Sequence, residues 1–181
     1  NKEEVALLTI AKALGVPEKG EARLKEYYSQ AKKTRIALAE HMQGETVAFL
    51  RILNKEIRLY PYMKSDLNVF MAELLNIKPP DMVLETELNP TNNAISLERL
   101  PDLDAGYLIV SAGYGASSAN NQGVADQRLA NLKKDELWKN LPAVKADHVL
   151  QVDSTLWMAH GIIAKERAMK ELYDKIGRAH V

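Results

Sequence analysis

Apolar residues recur at helical spacing early in the chain and at strand spacing in its middle, and this change of period divides it. Residues 3–14 carry Leu7, Ile10, Ala11 and Leu14 on one helical stripe, closed by Gly15. Val16-Pro17 breaks the stripe. A longer helix is expected from about residue 19 to residue 43, with Leu24, Tyr27, Tyr28, Ala31, Leu38 and Met42 on one face and Lys and Glu on the other. Gly44 ends it. Residues 46–53 and 56–60 then read as two strands, with Asn54-Lys55 between them as a tight turn. Helical spacing returns over 66–76, where Asp66 suits the positive helix end, and Pro79-Pro80 stops it. Residues 85–94 are a polar loop or short strand, 96–100 a short helix, 106–111 a buried strand, and 113–121 a small, polar loop. A helix over 125–141, a strand over 148–152 and a helix over 162–173 complete the pattern.

Strands alternate with helices after residue 44. That part of the chain is expected to be α/β, a three-layer αβα lobe around a central, mainly parallel sheet. The helix at 19–43 is not needed to close a crossover and reads as a long connector preceding the lobe.

Composition narrows the function. Hydrophobic residues make up 46% and charged residues 27%, as in an ordinary globular protein. Lys+Arg and Asp+Glu both number 24, so no global field points to nucleic acid or to an anionic membrane, although a zero sum hides local patches. The absence of cysteine excludes disulfides, thiolate metal sites and cysteine nucleophiles. No apolar run approaches a membrane span, and no export signal is present. The chain opens at Asn1 directly in helical sequence, so its N-terminus reads as truncated. Lys175-Ile-Gly-Arg-Ala-His-Val181 is what a common sequencing adapter gives when translated, so 175–181 is read as a non-native tail and set aside from fold reasoning.

Catalytic signatures are missing from the sequence. There is no GxSxG, no phosphate loop and no HExxH, and Gly113-Tyr-Gly115 has no third glycine at the dinucleotide spacing. His41, His148 and His160 are scattered; they read as structural or surface residues, with a haem-like role for His160 beside Trp157-Met158 as the alternative. No enzyme activity and no metal centre are expected.

The order of the segments carries a resemblance. Leu7-Leu-Thr-Ile-Ala-Lys-Ala-Leu-Gly15, Val47-Ala-Phe-Leu-Arg51, Ser96-Leu-Glu-Arg-Leu100 and Tyr107-Leu-Ile-Val110 follow one another. Then come Trp138-Lys-Asn-Leu-Pro-Ala-Val-Lys145, Val149-Leu-Gln-Val-Asp153 and Trp157. This series resembles the C-terminal lobe of the iron-siderophore, haem and vitamin B12 family of ABC-transporter binding proteins. Ala105-Gly106 departs from it, because the family usually has a polar residue there. The hairpin Leu50-Arg-Ile-Leu-Asn-Lys-Glu-Ile-Arg-Leu-Tyr60 is most similar to Gram-positive siderophore binders.

The resemblance implies two α/β lobes joined by one helix: residues 1–18 as a remnant of an N-terminal lobe, 19–43 as the interlobe helix, and 44–174 as the C-terminal lobe. It implies an extracytoplasmic protein, periplasmic or a membrane-anchored lipoprotein. That protein binds a ferric siderophore as a monomer, without cofactor, and delivers it to ABC permease subunits. No contact with nucleic acid and no membrane insertion are expected of this chain. The alternatives are a cytoplasmic siderophore-sensing domain fused to a transcription regulator, and a haem or corrinoid binder. Glu98, within Ser96-Leu-Glu98, matches the family's permease-docking acid, while a Glu in the first turn of a short helix is also favoured by the helix dipole alone.

The residues offer a cationic half-site. A two-residue turn at Asn54-Lys55 sets Leu53 opposite Glu56, Ile52 opposite Ile57 and Arg51 opposite Arg58. Like charges directly opposite repel, and an anion between them reverses the sign. Arg51 also lies at the carboxyl end of its strand, where open α/β sheets bind ligands. The other reading is that each arginine splays to solvent or pairs with a carboxylate such as Glu56. Tyr60, Tyr62 and Lys64 follow as residues able to stack on or pair with a catecholate, or else as a solvated loop. Trp157 either lines the ligand pocket or packs the last helix on the sheet.

Overall fold

The computed structural model of the chain describes residues 2–60, 70–85, 93–113 and 122–178. Its helices are α1 (Lys2–Ala13), α2 (Pro17–Met42), α3 (Asp81–Glu85), α4 (Gln122–Leu132), α5 (Glu136–Lys139), α6 (Pro142–Lys145), α7 (Ser154–Trp157) and α8 (Ile162–Leu172). Wider π-helical turns occupy Phe70–Leu74 and Tyr173–Gly177, and a 3-10 helix spans Leu97–Asp102. The strands are β1 (Val47–Ile52), β2 (Ile57–Leu59), β3 (Ala94–Ile95), β4 (Tyr107–Ala112) and β5 (Val149–Gln151). The chain divides into two compact units, residues 1–43 with 160–181, and residues 44–159.

The first unit is helical. Val16-Pro17 ends one helix and starts the next at once, because Pro17 sits at the first position of α2, where its missing N–H costs nothing. Gln43 closes α2 in the left-handed conformation, its N–H bonded to the Ala39 carbonyl. The α1–α2 crossing is tight at Gly20, where an added Cβ would lie 2.5 Å from the Ala11 Cβ. Along α2 run α8 and the turn after it: Arg23 pairs with Glu166 at 2.5 Å, Gln30 donates to the Glu166 carbonyl, and Lys33 sits over the Tyr173 ring. Tyr28 is exposed and donates its O–H to Glu4. Tyr27 is not exposed: it is 2% accessible, edge-on to Tyr28, because α2 has helices packed on more than one side.

The second unit is built on a five-stranded sheet of order β3-β2-β1-β4-β5. β1 pairs parallel with β4, and β4 parallel with β5. β2 runs antiparallel to both β1 and β3, so four of the five strands share one direction. The hairpin has the register read from the sequence. Arg51 faces Arg58, Ile52 faces Ile57, and the Leu53 N–H donates to the Glu56 carbonyl at 2.9 Å.

Alternation along the strands separates two faces. Ala48, Leu50, Ile52, Leu108 and Val110 turn to a core completed by Leu129 of α4, Trp138 of α5 and Leu100. Truncating a fully buried member such as Leu50 to Ala costs about 2–5 kcal/mol. Phe49, Arg51, Ile109 and Ser111 turn to the other face, where Trp157 of α7 stacks on Phe49 at 6.1 Å. The helix expected over 125–141 is broken. Asp135 accepts from the Leu137 N–H and caps a new helix, and Pro142 then starts a third segment.

Candidate functional site

Arg51, Gly113 and Asp153 all lie at the carboxyl ends of the parallel strands, the edge at which open α/β sheets hold ligands. Arg51 is half-buried there and is held by two of the described residues, among others. Its Nε donates to the Gly113 carbonyl at 2.6 Å and its Nη1 to the Tyr60 hydroxyl at 2.9 Å. Tyr60 in turn donates its O–H to the Met158 sulfur at 3.1 Å and meets Phe49 edge-on at 5.0 Å. Burial pushes the Tyr60 phenol above its usual pKa, and the Arg51 guanidinium partly counters this. Gly113 has φ +99°, and an added Cβ would collide with the Gln122 carboxamide. A residue without a side chain is therefore needed where Arg51 is anchored.

Arg58, opposite Arg51 on the same face, forms an ion pair with Glu56. The repulsion that the register creates is thus relieved internally: one guanidinium goes to a carbonyl and a phenol, the other to a carboxylate. Arg58 keeps its Nε buried without a hydrogen-bond partner. The row continues onto β4, where Ser111 pairs in register with Arg51. Ser111, Arg51 and Arg58 thus form a polar row across three strands. The sequence reading missed Ser111, because its place depends on a parallel pairing far apart in the chain.

Trp157 is buried and stacked on Phe49, so it packs the sheet, while its neighbour Met158 takes up Tyr60. Tyr62 and Lys64 lie outside the described residues. An open cleft of about 480 Å³ adjoins the ends of β4 and β5, lined by Gln122, Asp126, Gln151, Asp153, Ser154 and Thr155 among others. His148 stacks on Tyr107 at 4.1 Å and contacts the Gly106 carbonyl, away from that edge. His41 and His160 belong to the helical unit. Among the described residues no His, Cys, Asp and Glu cluster could hold a metal ion, and no helix is long and apolar enough to cross a membrane.

Glu98 is exposed in the first turn of the 3-10 helix, which Ser96 caps by accepting the Arg99 N–H. Beside it Asp81, Glu85, Asp102 and Asp104 line a hollow of about 350 Å³ with Arg99, whose guanidinium lies 3.8 Å from Glu85.

A profile of the family described as "Periplasmic binding protein" matches residues 3–156. The chain is 27% identical, over 174 residues, to a protein of Bacillus subtilis named "Probable siderophore-binding lipoprotein YfiY"; the match covers 94% of this chain and 50% of that protein. Among solved structures, Staphylococcus aureus SirA complexed with staphyloferrin B is similar at a TM-score of 0.75 and 19% identity, covering 96% of this chain and 60% of that one. The triscatecholate siderophore-binding protein FeuA of Bacillus subtilis, complexed with ferri-bacillibactin, is similar at a TM-score of 0.70 and 25% identity, covering 90% and 54%. The chain spans about half the length of the curated relatives it matches.

Proposed function

The chain belongs to the periplasmic binding protein family, and from that premise we propose that it captures a ferric siderophore, an anionic iron chelate, for an ABC importer. The observation that carries this reading is the Arg51–Arg58 pair at the carboxyl edge of the sheet. Two guanidinium groups in register are unfavourable neighbours without an anion, and each is now tied to an internal partner that a ligand can replace. Guanidinium forks suit the planar oxygen pairs of catecholates and carboxylates. Tyr60, Tyr62 and Lys64 follow the pair along the chain. Trp157 supports the site from below through Phe49.

In this reading α2 is the connecting helix and residues 44–174 are the C-terminal lobe, with the ligand-facing sheet in the unit of residues 44–159. The protein works outside the cytoplasm as a monomer, anchored as a lipoprotein or free, and it catalyses no reaction. Glu98 docks on the permease, and the acidic hollow beside it favours a basic partner. Arg51→Gln and Arg58→Gln test the ligand site: each is expected to weaken binding of ferri-bacillibactin, and unchanged affinity in both removes the pair from it. Glu98→Ala is expected to leave affinity alone while transport falls in cells that take up iron through this protein.

A further inference from the structure

Ser111 stands at a level of the sheet where its neighbours are charged. On β4 it follows Ile109 on the same face, and its register partner on β1 is Arg51, which faces Arg58 on β2. Its side chain is 0% exposed, and its hydroxyl oxygen has no hydrogen-bond partner. The Arg58 Nε is also buried and unpartnered. A buried, unpaired polar group is costly, and an Ala at either place would avoid that cost. The two groups stand in one transverse row on either side of Arg51; the Nε–H only donates and the hydroxyl can donate, so an oxygen acceptor satisfies both.

We infer that Ser111 is a ligand-binding residue whose hydroxyl, with the Arg51 and Arg58 guanidinium groups, donates to an anionic oxygen of the chelate. This rests on the reading of the chain as a siderophore binder. Arg51 is the half-buried side chain beside Ser111 on the same face, held by the Gly113 carbonyl and the Tyr60 hydroxyl. When Arg51 exchanges those acceptors for oxygens of the ligand, an oxygen of the same anion supplies the hydroxyl with the acceptor it lacks. The unliganded chain therefore carries an unpaired hydroxyl that contributes only when ligand is bound. A serine kept for packing or for a local hydrogen bond behaves in the opposite way.

The two cases differ in sign. Ser111→Ala in the whole chain is expected to raise the thermal unfolding midpoint by about 2–4 °C, since an unpaired buried hydroxyl is removed. Equilibrium dialysis of ferri-bacillibactin is expected to show binding about 5- to 10-fold weaker than in the unaltered chain. Ser111→Cys keeps the shape with a somewhat larger atom and a weaker donor, and is expected to fall between in affinity. A lower midpoint in Ser111→Ala would show that the hydroxyl is structural and overturn the inference, as would a raised midpoint with unchanged affinity. If the unaltered chain binds neither ferri-bacillibactin nor the ferric staphyloferrin B complex, the siderophore reading itself fails and the role of Ser111 with it.

Discussion

Arg51 and its contacts concentrate the chemistry in a few side chains. Replacing Arg51 with Gln is expected to weaken binding of an anionic ferric siderophore by roughly 1.5–3 kcal/mol, the scale of a charged hydrogen bond. The loss should be larger at low salt, where Coulombic attraction is less screened, and titration at two ionic strengths checks this. The same substitution has a second readout. The Tyr60 phenol is raised by burial and pulled back by Arg51 through charge and a hydrogen bond. Removing Arg51 should therefore raise it further, measured as phenolate absorbance against pH. Tyr107 is raised as well, by burial first and then by the Glu45 carboxylate. A phenol whose folded pKa lies above the unfolded value of about 10 contributes stability that is complete below that pH and lost above it. The unfolding midpoint should therefore fall as pH rises from about 10, with no matching change between pH 7 and 9. At this scale the sequence carried the Arg51–Arg58 pairing, because a two-residue turn fixes it locally. It did not carry the Ser111 neighbour or the Met158 partner of Tyr60, since both depend on contacts that only the folded sheet creates.

Elements show the same division between local and distant causes. The hairpin, the long helix and the strands at β4 and β5 were legible from period and turn chemistry. The break in the expected 125–141 helix was not recognised, although Asp135 and Pro142 are the cap and first-turn residues that cause it. The apolar positions carry the same signal: Ala125, Leu129 and Leu132 share one face of a continuous helix, and Trp138 and Leu141 fall on the opposite one. The α1–α2 crossing gives a direct test of packing against propensity. Gly20→Ala gains up to about 1 kcal/mol of helix propensity. It also places a methyl group 2.5 Å from the Ala11 Cβ, which can move away only if α1 shifts as a whole. Overpacking costs about 1–3 kcal/mol, so the variant should unfold at lower temperature than the unaltered chain. Adding Ala11→Gly should recover most of that loss, and thermal melts of the single and double variants decide it.

At the level of the whole molecule, the two units should differ in local stability. In α1 only Ala11 is buried, while Val5 and Ile10 are exposed, as is Leu14 just after it. β1 and β4 are buried almost throughout. Hydrogen exchange should therefore show residues 2–15 opening readily and the amides of β1 and β4 among the slowest. Protection of α1 equal to that of β1 would contradict this picture. The α/β class, the mainly parallel sheet and the family all followed from the order of the segments. The identity of the chelate did not, because it depends on side chains brought together from several strands and loops. In the proposed function this edge of the sheet holds an anionic iron chelate. Isothermal titration of the chain with ferri-bacillibactin, at low and at moderate salt, tests it most directly. Saturable binding of one chelate per chain, weaker at the higher salt, is the predicted result. No saturable binding at either ionic strength would contradict it.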